Sequence, residues 1–143
     1  MQDDTVRLLN ECHFGARMAV TAIDTVLQSV QDPELRGRLQ CSRSDHEVLV
    51  QETGRILEKS GRDARDPSPM LRKMAQARTS VRMRLHPTDS TAAVLLSNGC
   101  HMGTQLLAKR LNRLPCADVQ SRDAARRLIG IEDALTGSMR PYL

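Results

Sequence analysis

Apolar residues recur three and four positions apart along most of this chain and nowhere alternate with polar ones over the length of a strand. That period belongs to helices with one buried face, and it excludes sheet architectures before any other property is weighed. Prolines and short polar residues cut the pattern into pieces. Asp3 and Asp4 are N-cap candidates for a first long helix reaching about Val30, with Leu8, Leu9, Cys12, Ala16, Ala19, Ile23 and Val26 on its apolar side. Asp32-Pro33-Glu34 then reads as a turn with a cap and a first-turn proline. A second long helix runs from there to about Lys59. So short a connection folds the two helices into an antiparallel hairpin.

From Ser60 to Pro69 the chain is rich in Gly, Pro, Ser, Asp and Arg and reads as a loop. A shorter helix from about Pro69 to Leu85 follows. Thr88-Asp89-Ser90 caps a third long helix ending near Arg113, and Asp118 caps a fourth that continues to about Met139, before Pro141. The sequence therefore predicts one all-α domain over 1–143, a four-helix bundle with an extra short basic helix in its second connection. At ~1.5 Å per residue that helix is long enough to carry the chain back along the bundle. Two hairpins would then be joined by a long crossover, with plain up-down-up-down topology as the open alternative.

Within the third long helix, Gly99 and Gly103 share one face. Interior glycine costs a helix roughly 1 kcal/mol against alanine. Two at this spacing predict the close approach of another backbone, and Gly15 and Ala19 of the first helix offer the matching small face.

Forty per cent of the 143 residues are hydrophobic, with one Phe, one Tyr and no Trp. Aliphatic side chains with Met as gap-filler suit helix packing. They leave no stacking platforms for single-stranded nucleic acid. No apolar run spans a membrane, and the opening Met1-Gln2-Asp3-Asp4 is not a leader, so no membrane insertion is expected and the reading is cytoplasmic. Cys12, Cys41, Cys100 and Cys116 stand far apart, which reads as free thiols in or near the core, with a zinc site or disulfides as the alternatives. Between Arg62 and Asp89 seven basic residues face three acidic ones, so this segment carries the whole net charge of +4.

Three ionisable residues fall within apolar stripes: Glu11, His46 and Glu132. Buried charge requires a partner. Counting residues from the turns places His46, Glu132 and Asn98 near one height, with Glu11 nearer one end. This layout resembles the ferritin-like bundle superfamily. Glu11-Cys12-His13-Phe14-Gly15, Asp66-Pro67-Ser68-Pro69-Met70, Asn98-Gly99-Cys100-His101-Met102-Gly103 and Arg140-Pro141-Tyr142-Leu143 further resemble an uncharacterised bacterial family within it. The superfamily implies two metal ions held by a Glu on each of two helices and a Glu-x-x-His on the other two. Here Arg43 stands where the Glu before His46 belongs, Leu135 replaces the second His, and the third long helix has no carboxylate. Two readings stay open. In one, Arg43, His46, Asn98 and Glu132 form a buried polar cluster with a guanidinium or imidazole in place of metal. In the other, His46 and Glu132, completed by Glu11, Cys100 or water, hold one divalent ion (iron, manganese or zinc).

Arg72, Lys73, Arg78, Arg82 and Arg84 surround a Met70-Met74-Val81-Leu85 stripe in the basic helix. As structure, the stripe packs inward and the charges face water; as function, the charges hold nucleic acid or an anionic surface. No phosphate loop, nucleophile elbow or His-Glu-x-x-His motif is present, so the chain reads as non-enzymatic. Leu95, Leu96, Met102, Leu106, Leu107 and Leu111 make a broad apolar arc that predicts a homodimer or a protein partner.

Overall fold

Short polar side chains start four of the five helices. In the computed structural model, which describes residues 1–143, α1 spans Asp3–Leu27, α2 Pro33–Lys59, α3 Pro69–Leu85, α4 Asp89–Arg113 and α5 Val119–Met139, with a 3-10 turn at Arg140–Tyr142 and no strand. Asp32, Ser68, Thr88 and Asp118 each accept a hydrogen bond from the backbone N–H three residues on, at 2.8, 3.1, 3.1 and 2.8 Å. Proline opens α2 and α3, where its missing N–H costs nothing. The first helix departs from expectation. Gln2 is its cap residue, and Asp3 and Asp4 lie inside the first turn, where their charge complements the helix dipole. Asp4 instead accepts from the Cys116 N–H, and Thr5 Oγ1 from the Asp118 N–H, fastening the start of α1 to the start of α5.

α1 pairs with α2 and α4 with α5, and α5 also meets α1 and α2. At the opposite end from the α4–α5 turn, Asp89 accepts from the Gln31 and Asp32 N–H groups, so α4 begins beside the α1–α2 turn. Tyr142 donates to Asp32 there and brings the C-terminus to the same end. Between Lys59 and Asp89 the chain therefore travels the length of α1, and α3 lies along α1 and touches α4.

The core divides in two. One apolar cluster gathers Leu8, Leu9, Leu49, Leu57, Leu107 and Leu128 with smaller neighbours near the α4–α5 turn. The other gathers Ile23, Leu35, Leu39, Leu96, Leu135 and Met139 at the α1–α2 turn. The interval holds the buried ionisable groups His46 and Glu132.

The short basic helix sits the other way round from the sequence expectation. Met83 is its one buried residue, with Ala75, Thr79 and Ser80 half-buried beside it. Met70, Met74, Val81 and Leu85 are 72, 58, 54 and 70% exposed, so the apolar stripe does not pack inward. The reason lies on α1. α3 rests over a polar cleft that Arg17, Thr21 and Asp24 share with Arg43 and Glu47 of α2, which suits small residues and long cations better than a row of large aliphatics.

Candidate functional site

The predicted cluster of Arg43, His46, Asn98 and Glu132 does not assemble. Arg43 turns outward and forms a two-pronged pair with Asp24 of α1, Nε to Oδ1 at 2.5 Å and Nη2 to Oδ2 at 3.2 Å. Both partners are about half exposed, where a guanidinium keeps its hydration. Asn98 faces solvent. His46 is fully buried, and its Nδ1–H donates to the Ser42 carbonyl one turn back at 2.7 Å. Burial lowers the His46 pKa, so the ring is neutral and its unprotonated Nε2 is an acceptor without a donor. Glu132 is 4% exposed, and its Oε2 is likewise buried without a hydrogen-bond partner.

The proposed metal ligands scatter in the same way. Glu11 is drawn to Arg110 of α4 at 3.2 Å, which removes it from Glu132. Cys100 is buried, and burial first, then the Glu132 charge, pushes its thiol up to about 12. Cys12 is held neutral at about 12 by burial, Glu11 and Glu132. Nowhere do three or more His, Cys, Asp or Glu side chains come together as a ligand set. All four cysteines are free, and Cys41 and Cys116 are exposed rather than in or near the core.

What replaces this cluster at Glu132 is a void. An atom added as Cβ on Gly103 would lie 2.7 Å from Glu132 Oε2 and 2.8 Å from Oε1. The glycine therefore serves a carboxylate, not the α1 backbone as its spacing predicts. Gly15, Ala19, Gly99 and Gly103 do face the same space, but it is an apolar cleft between α1 and α4, with Glu132 in its wall. Burial, with a lesser push from Asp133, raises the Glu132 carboxyl to about 7.

A second buried station was invisible to the apolar pattern. His13, also 4% exposed, places Nδ1 3.1 Å from the Val50 carbonyl and 3.1 Å from Thr53 Oγ1, and Nε2 2.7 Å from Asp66 Oδ1. Arg17 Nε donates to the same Asp66 oxygen at 3.1 Å. Asn10 Oδ1 accepts from the Arg65 N–H, and the Arg65 guanidinium stands 5.1 Å over the Phe14 ring. Asn10, His13, Phe14 and Arg17 thus make one face of α1 onto which the 62–68 loop is strapped. Burial raises the Asp66 carboxyl, but the hydrogen bonds and charges of His13 and Arg17 outweigh it and leave it lowered. Thr53, His13 and Asp66 line up like a nucleophile, base and acid. Thr53 is fully buried with its hydroxyl donated to the Leu49 carbonyl at 2.7 Å, so no substrate reaches it. The sequence signal was the polar spacing Asn10, His13, Arg17 beside an Asp-Pro in the loop.

The third feature is α3 itself. At ~100° per residue, Met70, Met74, Ala77, Val81 and Leu85 lie opposite the packed residues Ala75, Thr79 and Met83. Arg78 and Arg82 flank this stripe on one side and Lys73 and Arg84 on the other. No acidic residue occurs in the helix. Arg72 and Lys73 border the cleft that contains Asp24 and Glu47, which leaves Arg78, Arg82 and Arg84 the freer cations. On α4, Met102 and Leu106 are exposed at 71 and 45% but Leu96 and Leu107 are buried, so the predicted apolar arc is interrupted. No helix is long and apolar enough to cross a membrane. No protein-family model matches the chain, and no curated protein or solved structure is significantly similar to it.

Proposed function

We propose that this chain is a non-enzymatic helical bundle of the ferritin-like arrangement that attaches to anionic lipid surfaces through α3. The long path from Lys59 to Asp89 between two hairpins supports the arrangement. One observation carries the attachment: the aliphatic stripe of α3 points away from the rest of the molecule, with cations along both edges and no acid among them. An interfacial helix needs that pattern, apolar residues immersed and basic side chains reaching the headgroups.

Nucleic acid is the weaker reading of the same helix. Phosphates would use the arginines but leave Met70, Met74, Val81 and Leu85 in water, and the helix has no aromatic residue to stack on a base. Pairing of two α3 faces would set like charges against each other. Co-sedimentation with phosphatidylglycerol-containing and phosphatidylcholine-only vesicles tests the proposal. The protein should follow the anionic vesicles, release as salt rises, and fail to bind as Met74→Glu/Val81→Glu. Anionic-vesicle binding that survives this double substitution would overturn it. So would DNA binding that withstands the substitution in protein that ignores vesicles.

A further inference from the structure

Membrane attachment through α3 makes no use of the cleft between α1 and α4. Its volume is about 300 Å³, and ten of its fourteen lining residues are hydrophobic. That is the lower end of the range for small-molecule sites, roughly 300 to 1,000 Å³. The space exists because the facing positions are small. At Gly99 no atom stands within 4 Å of where a Cβ would be, and at Gly103 the gap is taken by the Glu132 carboxylate. Leu106 is half-exposed at the rim, and Glu132 is almost sealed at the floor.

The chemistry of this cleft is lopsided. Its one acid has an oxygen buried without a donor. The titratable groups around it supply no free cation. α1 offers the Cys12 thiol and Glu11, the latter already paired with Arg110 of α4, and α2 the neutral His46 ring in the same interval of the core. α4 adds the Cys100 thiol, and α5 a second acid, Asp133. An unpaired carboxylate in an apolar wall is costly by itself and is relieved by a charge-assisted donor.

We propose that the cleft binds a small apolar amine, its hydrocarbon body against Met18, Ile23, Leu96 and Leu135 and its protonated nitrogen on the Glu132 carboxylate. An alcohol of the same length fills the apolar wall but cannot neutralise the acid, and a carboxylate of that length meets it as a like charge. Near neutral pH part of the Glu132 population carries a proton, since its carboxyl titrates at about 7. Forming the ammonium–carboxylate pair expels that proton. The two thiols titrate too high to take part.

Calorimetric titration of the full chain with n-hexylamine, 1-hexanol and hexanoate tests this. At pH 8 hexylamine should bind about tenfold or more tightly than hexanol, and hexanoate should not bind. At pH 6.5 the hexylamine enthalpy should vary with the ionisation heat of the buffer, reporting the released proton. Glu132→Gln should keep hexanol binding while erasing the preference for the amine and the buffer dependence. Gly99→Leu, which extends a side chain into the cleft, should abolish binding of both. Equal affinity for amine and alcohol in the parent protein, a preference that survives Glu132→Gln, or no binding of either probe would each overturn the proposal. Met74→Glu should leave amine binding unchanged, which separates this site from vesicle attachment.

Discussion

His13 and Glu132 are each 4% exposed, each ionisable and each directed from a long helix toward its neighbours, yet their surroundings differ completely. His13 engages both ring nitrogens, one with α2 and one with the loop before α3. Glu132 leaves Oε2 with nothing and rests against a glycine. A buried polar group with its partners in place fixes structure; one without them holds the protein above its lowest free energy until something arrives to pair with it. The first station straps the crossing segment to α1. The second marks where a ligand would be rewarded.

Of the two stations, His13 should be the costlier to remove. Replacing it with alanine removes the hydrogen bonds to Val50 and Asp66 and leaves a cavity beneath the 62–68 loop. His13→Ala should lower unfolding free energy by about 3 to 4 kcal/mol in urea denaturation. A loss under 1 kcal/mol would show the strap to be ornamental.

The two stations respond to acid in opposite directions. The Glu132 pKa rises from 4.5 unfolded to about 7 folded, so the folded state binds more protons between those values and loses stability as pH climbs through them. The expected loss is about 3 kcal/mol, complete above pH 7 and absent below pH 4.5. The lowered Asp66 and His46 values work the other way: the paired Asp66 carboxylate stabilises above its unfolded pKa and loses that as pH falls, and the buried His46 ring costs stability once acid protonates it in the unfolded chain. The difference in stability between the parent protein and Glu132→Gln cancels those two terms. That difference should grow in favour of the variant from pH 4.5 to 7; a flat difference would mean the carboxyl is better solvated than its position implies.

How much of this was readable from sequence depends on which force sets each feature. Helices follow from local rules, and Asp32, Thr88 and Asp118 act as caps where the pattern places them. The heights of His46 and Glu132 were also legible, since residue counts along helices convert directly to distance, and both fall between the two apolar clusters. Asn98 was placed too far from the α1–α2 turn: its neighbours Leu96 and Cys100 belong to the cluster there, and Gly103 is the α4 residue level with Glu132. Facing was not. Periodicity finds the stripe on α3 but cannot say which side of that helix meets α1. The decision came from the polar groove along α1 and α2, a property of three helices at once. The same blindness hid the His13–Asp66 bond, whose partners are 53 positions apart. It also misread Gly103, where a small residue made room for a carboxylate rather than for a backbone.

The glycines give the finest test, because two of them on one face of α4 should respond differently to one methyl group. At Gly103 the new carbon falls 2.7 and 2.8 Å from the Glu132 oxygens, so the carboxylate, the mobile end of a side chain that borders the cleft, has to swing aside. Gly103→Ala should therefore gain nothing net, the displacement of the carboxylate offsetting the propensity gain of about 1 kcal/mol. At Gly99 the added carbon meets nothing within 4 Å, and only the propensity gain remains. Gly99→Ala should therefore stabilise by up to about 1 kcal/mol. Thermal melts of the pair at pH 8 measure both. If the two substitutions shift the midpoint alike, Glu132 is not held against Gly103, and the unpaired carboxylate at the floor of the cleft loses its geometric basis. If they diverge as expected, helix propensity alone cannot explain both glycines, because it favours alanine equally at each.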